Sequence, residues 1–184
     1  MATEEQHGTL PLPGLNPAPK MLIVAAPFYR NIADGLLAGA TAVLDRASAA
    51  HEVIEVPGAL EIPVAIRLAA ESGAWEGFVA LGCVIRGETT HYETVCNDSS
   101  RGLMLLGVQN RIAVGNGILT CETMAQAEAR ADPEEMDKGG GAAEAALHLV
   151  ALKRRFRGLP GRGEAVPDDA DILLAAQAAQ PRTA

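Results

Sequence analysis

Residues 77–85, GFVALGCVI, form a stretch of nine with no charge and no polar side chain other than one thiol. Such a run is too short to cross a bilayer and too uniformly apolar to keep one face wet. It reads as a strand covered on both sides, the pattern of a parallel sheet. Met21–Ala26, MLIVAA, has the same character, and Pro27 ends it. After each run the apolar spacing changes from strand-like to helical. Ile32, Leu36, Ala40, Val43 and Leu44 share one helical face, which predicts a helix over 30–48. Residues 51–56, HEVIEV, read as a second strand and Pro57–Gly58 as a turn. A helix is predicted over 59–72, with Pro63 tolerated in its first turn and Gly73 closing it. The long helix after 77–85 carries Val95, Ser99, Gly102, Leu103 and Leu106 as a stripe and runs to about Gln109. Residues 112–119, IAVGNGIL, read as a fourth strand whose two glycines imply close packing against its backbone. A short helix over 122–130, a loop DPEEMDKGGG at 132–141 and a last helix over 142–156 complete the pattern.

Four strands alternating with helices predict an α/β fold, a four-stranded parallel sheet covered on both faces with right-handed crossovers. Ligands in such folds bind beyond the carboxyl ends of the strands. That rule puts Phe28, the turn Pro57–Glu61 and the turn Arg86–His91 on one edge.

The 184 residues contain no long linker, so one domain is expected at 21–156. Residues 1–20, with Pro11, Pro13, Pro17 and Pro19, suit an extended arm that adds a strand to a neighbouring sheet edge or runs free. Residues 157–184 are rich in Gly, Pro, Ala and Asp and are expected to be mostly disordered, with DDADILLAAQAAQ as a weak amphipathic segment. No run of 18 apolar residues predicts a membrane span, and the N-terminal stretch lacks the basic start and apolar core of a secretory signal. Cys83, Cys96 and Cys121 have neither disulfide nor zinc spacing and read as buried thiols in a reducing compartment, so a cytoplasmic location is expected. A net charge of −8 argues against general nucleic-acid binding.

Gly87–Glu88–Thr89–Thr90–His91 is the strongest candidate for chemistry. The free N–H groups of a helix start attract an anion, and a histidine there moves protons near neutral pH. The same residues would also serve as an ordinary helix cap beside a surface histidine. Glu61 could accept hydrogen bonds from ligand hydroxyls or interact with its own helix dipole. Phe28, one of three phenylalanines, could stack on a flat heterocycle or sit in the loop base. Arg130 and Lys138 flank the acidic, Gly-rich loop, where either could reach a phosphate. No phosphate-binding P-loop and no dinucleotide-binding glycine pattern is present.

VPGALEIP at 56–63, LGCVIRGETTHYETVCND at 81–98, GNGILT at 115–120 and DKGG at 137–140 together resemble the lumazine synthases, in order and with matching spacing from about Met21 to Phe156. The resemblance implies a flavodoxin-like three-layer sandwich that assembles as pentamers with active sites between adjacent subunits, some members building twelve pentamers into a capsid. It implies a transferase of riboflavin biosynthesis that needs no cofactor and no metal. The reaction joins 5-amino-6-(D-ribitylamino)uracil to L-3,4-dihydroxy-2-butanone 4-phosphate. By the same resemblance, Phe28 stacks on the pyrimidine, while Ala59, Leu60 and Glu61 hold the ribityl chain. Cys83, Val84 and Ile85 present backbone to the uracil edge. Glu88 and Thr89 cradle the phosphate, and His91 transfers protons. Arg130 binds phosphate, Lys138 lies near the ribityl chain, and Asn116 comes from the neighbouring subunit. The chain departs from the family pattern in three places. Leu60 stands where an aromatic is frequent, and Asn116 where Phe is common. DPEEM at 132–136 replaces a Gly- and Lys-rich loop, which favours a free pentamer or pentamer pair over a capsid. A lumazine- or riboflavin-holding protein would need Phe28 and Glu61 but neither His91 nor Arg130. A shell protein with vestigial chemistry would not keep the phosphate set.

Overall fold

The structure, a computed structural model, describes residues 10–158. Four parallel strands, β1 (Lys20–Ala25), β2 (Ala50–Glu55), β3 (Gly77–Ile85) and β4 (Ala113–Cys121), lie in the order β2-β1-β3-β4. Five helices accompany them: α1 (Arg30–Arg46), α2 (Glu61–Glu71), α3 (His91–Val108), α4 (Met124–Ala131) and α5 (Lys138–Arg157). This is the flavodoxin-like α/β arrangement expected from the sequence.

The period-2 geometry of the strands divides the core into two layers. Met21, Ile23 and Ala25 of β1 and Val79, Leu81 and Cys83 of β3 point to one side, where they pack with α1, α4 and α5. Leu22, Val24, Phe78 and Ala80 point to the other, against Ile62 and Ile66 of α2 and Leu103 and Leu106 of α3. The uniform apolarity of β1 and β3 follows from having a helical layer on each face. β2 is an edge strand and is mostly exposed, Val53 and Ile54 included.

α1, α2 and α4 differ from the predicted bounds by two residues or fewer at each end, and two further differences bear on the packing. β4 runs on to Cys121, two residues beyond the predicted end, because it pairs with β3 along its whole length up to Ile85↔Cys121. The predicted loop 132–141 is shorter, because α5 begins at Lys138 and absorbs the three glycines. Asp137 caps α5 from a left-handed conformation (φ 40°), and its Oδ1 accepts the Gly140 N–H at 2.9 Å. Gly139 is there for packing. A Cβ on Gly139 would lie 2.0 Å from the Leu36 carbonyl oxygen of α1. The expected close approach at β4 is also present, since a Cβ on Gly115 would lie 1.9 Å from the Ala142 oxygen of α5.

Leu12 and Leu15 of the predicted arm pack against the first core layer, and the Pro17 carbonyl accepts a hydrogen bond from Arg154 Nη1 at 2.7 Å. Residues 1–9 and the tail from 159 lie outside the described residues. Cys83 and Cys121 are buried as expected, whereas Cys96 on α3 is only half-buried. No helix among the described residues is long and apolar enough to cross a membrane.

Candidate active site

The carboxyl ends of β1, β2 and β3 open into one cleft of about 420 Å³. From the loop after β1 come Phe28 and Tyr29, whose rings meet edge to face with centroids 5.1 Å apart. Phe28 is 73% exposed, which leaves its face free for a flat ligand. From the turn after β2 come Ala59, Leu60 and Glu61. The Glu61 carboxylate folds back over the turn, so that a Cβ on Gly58 would sit 3.0 Å from its Oε2. Glu61 opens α2, where the helix dipole stabilises its charge. The end of β3 supplies Cys83, Val84 and Ile85 as the floor, and the turn and helix beyond supply Thr89, His91 and Tyr92.

His91 is the first residue of α3, and its exposed side chain lines the cleft. Thr90 caps the helix without a side-chain hydrogen bond. Helix geometry leaves the first N–H groups without intrahelical partners. One of them, on His91, makes only a 3.4 Å contact to Thr89 Oγ1. The turn therefore keeps donors available beside a hydroxyl and an imidazole. Glu88 is exposed on this turn and is not part of the cleft lining.

Electrostatics separate the reactive groups from the inert ones. Burial pushes the Cys83 thiol up to about 12, helped by the neighbouring Cys121, so Cys83 is a neutral wall. Arg86 belongs to the turn by sequence, but its charge is spent elsewhere. Its Nε donates to Glu122 at 2.6 Å, Nη1 donates to Glu93, and the guanidinium lies 4.2 Å from the Tyr92 ring centroid. The hydrogen bond from Arg86 holds the Glu93 carboxyl below its ordinary range. Burial, with Cys96 nearby, raises the Tyr92 phenol.

Three predicted residues are elsewhere. Asn116, Arg130 and Lys138 line a second cleft of about 430 Å³ between β4 and the starts of α5 and its preceding turn. The two clefts share no lining residue. Asn116 is exposed on β4, with its Oδ1 accepting the Ile118 N–H at 2.9 Å. Arg130, in the last turn of α4, donates from Nη1 to the Gln126 carbonyl at 3.0 Å. Tyr29 and Tyr92 of the first cleft were not singled out from the sequence, and Val95 was read only as part of the apolar stripe of α3. The only available signal was that Tyr29 and Tyr92 adjoin Phe28 and His91.

A family model described as 6,7-dimethyl-8-ribityllumazine synthase matches residues 18–154. The chain belongs to the lumazine synthase family. A 6,7-dimethyl-8-ribityllumazine synthase of Jannaschia sp. (strain CCS1) is 55% identical over 147 residues, 80% of this chain and 82% of the relative. That of Methylobacterium radiotolerans is 58% identical over 139 residues, 76% and 85% of the two chains. That of Sphingopyxis alaskensis is 54% identical over 136 residues, 74% and 96%. The matched span contains both clefts.

Proposed function

We propose that this chain is a 6,7-dimethyl-8-ribityllumazine synthase. It condenses 5-amino-6-(D-ribitylamino)uracil with L-3,4-dihydroxy-2-butanone 4-phosphate in the penultimate step of riboflavin biosynthesis. The observation that carries the reading is the first cleft, which sets an exposed aromatic and a glutamate opposite a helix start bearing Thr89 and His91.

The pyrimidine lies on Phe28, its edge against the backbone of Cys83–Ile85, and its ribityl hydroxyls reach Glu61. The phosphate of the second substrate sits at the start of α3, on N–H groups and Thr89. The amine attacks the ketone, and loss of water gives an imine. Removal of a carbon-bound proton lets phosphate leave, and ring closure with a second loss of water completes the lumazine. His91 carries the protons, since imidazole exchanges them near neutral pH. Holding the two substrates in reacting geometry supplies the largest share, up to roughly 7–11 kcal/mol.

The site is completed by a second copy of the chain. Arg130, Lys138 and Asn116 are grouped in a cleft of their own, beside the edge strand β4. A neighbour's second cleft placed over the first would bring Arg130 to the phosphate and Lys138 to the ribityl chain. Apolar side chains left in water support such association: Val64 and Leu68 one turn apart on α2, and Met104 and Val108 one turn apart on α3. A homopentamer fits this head-to-tail contact, because a heterologous interface whose rotation closes generates a ring. The stiff turn 133–136, pinned by Asp132 Oδ1 accepting the Glu134 N–H at 2.8 Å, favours a pentamer or pentamer pair over a capsid.

Mixing the two substrates with the purified chain and following lumazine absorbance and fluorescence tests the activity. No product above the uncatalysed rate refutes it. Two impaired variants, assayed at low phosphorylated ketone, test the shared site. Unfolded together in equal amounts and refolded as mixed rings, His91→Ala and Arg130→Ala chains should recover about a quarter of the wild-type sites, because random neighbours pair two intact halves that often. No recovery would mean that each chain holds its whole site.

A further inference from the structure

We propose that Arg86 is a positioning residue that fixes the His91-bearing start of α3, and not a ligand for the substrate phosphate. The proposal deepens the synthase reading and rests on it. Arg86 follows β3 directly, and its backbone N–H donates to the Cys121 carbonyl at 2.9 Å, tying the turn to the end of β4. Its guanidinium is engaged on two edges and one face. Nε donates to Glu122 Oε2 at 2.6 Å, Nη1 donates to Glu93 Oε1, and the flat face lies 4.2 Å from the Tyr92 ring centroid. Two of these partners form the first turn of α3, immediately after His91. The third is the residue that follows β4.

The arrangement suits fixing a helix start. Thr90 gives α3 no side-chain cap, so locally its first turn is held only by backbone bonds to the Thr90 carbonyl and a 3.4 Å contact from the His91 N–H to Thr89 Oγ1. A lone cation beside a helix N-terminus is opposed by the dipole. Arg86 is stable there because Glu93 and Glu122 surround it, and a phosphate would have to displace carboxylates already bound. The planar fork reaches two carboxylates while lying on a ring, which a lysine cannot do. Tyr92 is a wall of the substrate cleft, so the clamp sets both that wall and the origin of the His91 side chain. The three charged side chains are 40–54% exposed, where ion pairs add little to folding. Loss of Arg86 should therefore move the site without unfolding the chain.

The test compares the wild type with Arg86→Gln, Arg86→Lys and Arg86→Gln/Glu93→Gln. It measures kcat, KM for each substrate, melting temperature and hydrogen exchange over residues 88–95. Arg86→Gln should lower kcat about 30- to 100-fold, the scale of a misplacement of about 1 Å at a reacting group. KM for the phosphorylated substrate should stay within about threefold and exchange over 88–95 should accelerate. Lysine should restore less than about a tenth of the loss. The double variant should be no slower than Arg86→Gln. A tenfold rise in that KM with kcat intact would make Arg86 a phosphate ligand and overturn the proposal. So would full rescue by lysine, or unchanged exchange and kcat. If the wild type forms no lumazine, the synthase reading fails separately, and the exchange measurement still decides the clamp.

Discussion

Gly139 and Gly141 stand two residues apart in the first turn of α5, and the structure assigns their alanine variants opposite signs. A Cβ at 141 meets nothing within 4 Å. Gly141→Ala should therefore show only the gain from a less flexible unfolded chain and better helix propensity, about 0.5–1 kcal/mol. A Cβ at 139 would lie 2.0, 2.7 and 2.8 Å from the oxygen, carbonyl carbon and Cα of Leu36. All three are backbone atoms of α1, so no rotamer change relieves them. Contacts under 3.0 Å do not occur, so α1 and α5 must separate by at least 1.0 Å (3.0 − 2.0). That gap spreads along a layer in which Leu36, Ala40 and Val43 share a core with Ala143, Ala146 and Leu147. A gap of this size forfeits a quarter to a half of each dispersion contact. Forced repacking of a tight core costs about 3 kcal/mol at the upper end, and roughly 1 kcal/mol of helix propensity offsets it. The net loss of about 2 kcal/mol lowers the melting temperature by about 4–8 °C for a chain of this length. Thermal unfolding followed by circular dichroism, at one fixed protomer concentration, should place Gly141→Ala above wild type and Gly139→Ala below it. A Gly139→Ala protein as stable as wild type would show that the helices are not in backbone contact. The same packing account of the glycine run would fall with it.

Further outcomes follow for the site. His91→Ala should slow turnover about 10²- to 10⁴-fold without abolishing it, since positioning survives the loss of a proton carrier; unchanged turnover would remove His91 from the chemistry. Arg130→Ala should raise KM for the phosphorylated ketone more than tenfold and leave that for the ribitylaminouracil near wild type, and equal effects on both would deny it a phosphate role. The Cys83 thiol, raised from 9.0 to about 12, should carry about a thousandfold less thiolate at pH 8. Native protein treated with iodoacetamide at pH 8 and mapped by mass spectrometry should therefore stay unmodified at Cys83. Rapid alkylation there would contradict the burial argument, as would a large loss of activity in Cys83→Ala.

The parts of the fold that were legible in the sequence are those in which one layer dictates residue type. β1 and β3 lie under helices on both faces, so they had to be apolar throughout and could be read from that alone. The edge that carries the first cleft followed from strand direction, and Phe28, Glu61, Thr89 and His91 meet in that cleft. Legibility failed where a residue's meaning depends on something distant in sequence. Gly139 looks like a loop residue until α1 is seen resting on it. Arg86 reads as part of an anion-binding turn, yet its guanidinium is committed to Glu122, 36 residues away. The split between the two clefts is a third case. Spacing along the chain cannot show whether Arg130 reaches its own His91 or another copy's.

That split follows from the geometry of β4. The strand alternates buried and exposed residues, and Asn116 and Thr120 face the second cleft while Gly115 and Gly117 let α5 lie against the sheet. Close seating of α5 puts Lys138 beside the strand, and the α4–α5 turn keeps Arg130 with it. These cations line a cleft that shares no residue with the one holding Thr89 and His91. A phosphate at the start of α3 meets a hydroxyl, free N–H groups and an Arg86 already holding two carboxylates. In a chain of net charge −8, a dianion at that point needs a cation from outside. The proposed second copy, with Arg130 and Lys138 in its own cleft, would supply one. Under the proposed shared site, assembly and catalysis are one requirement, and a variant that prevents assembly should lose turnover while each subunit stays folded.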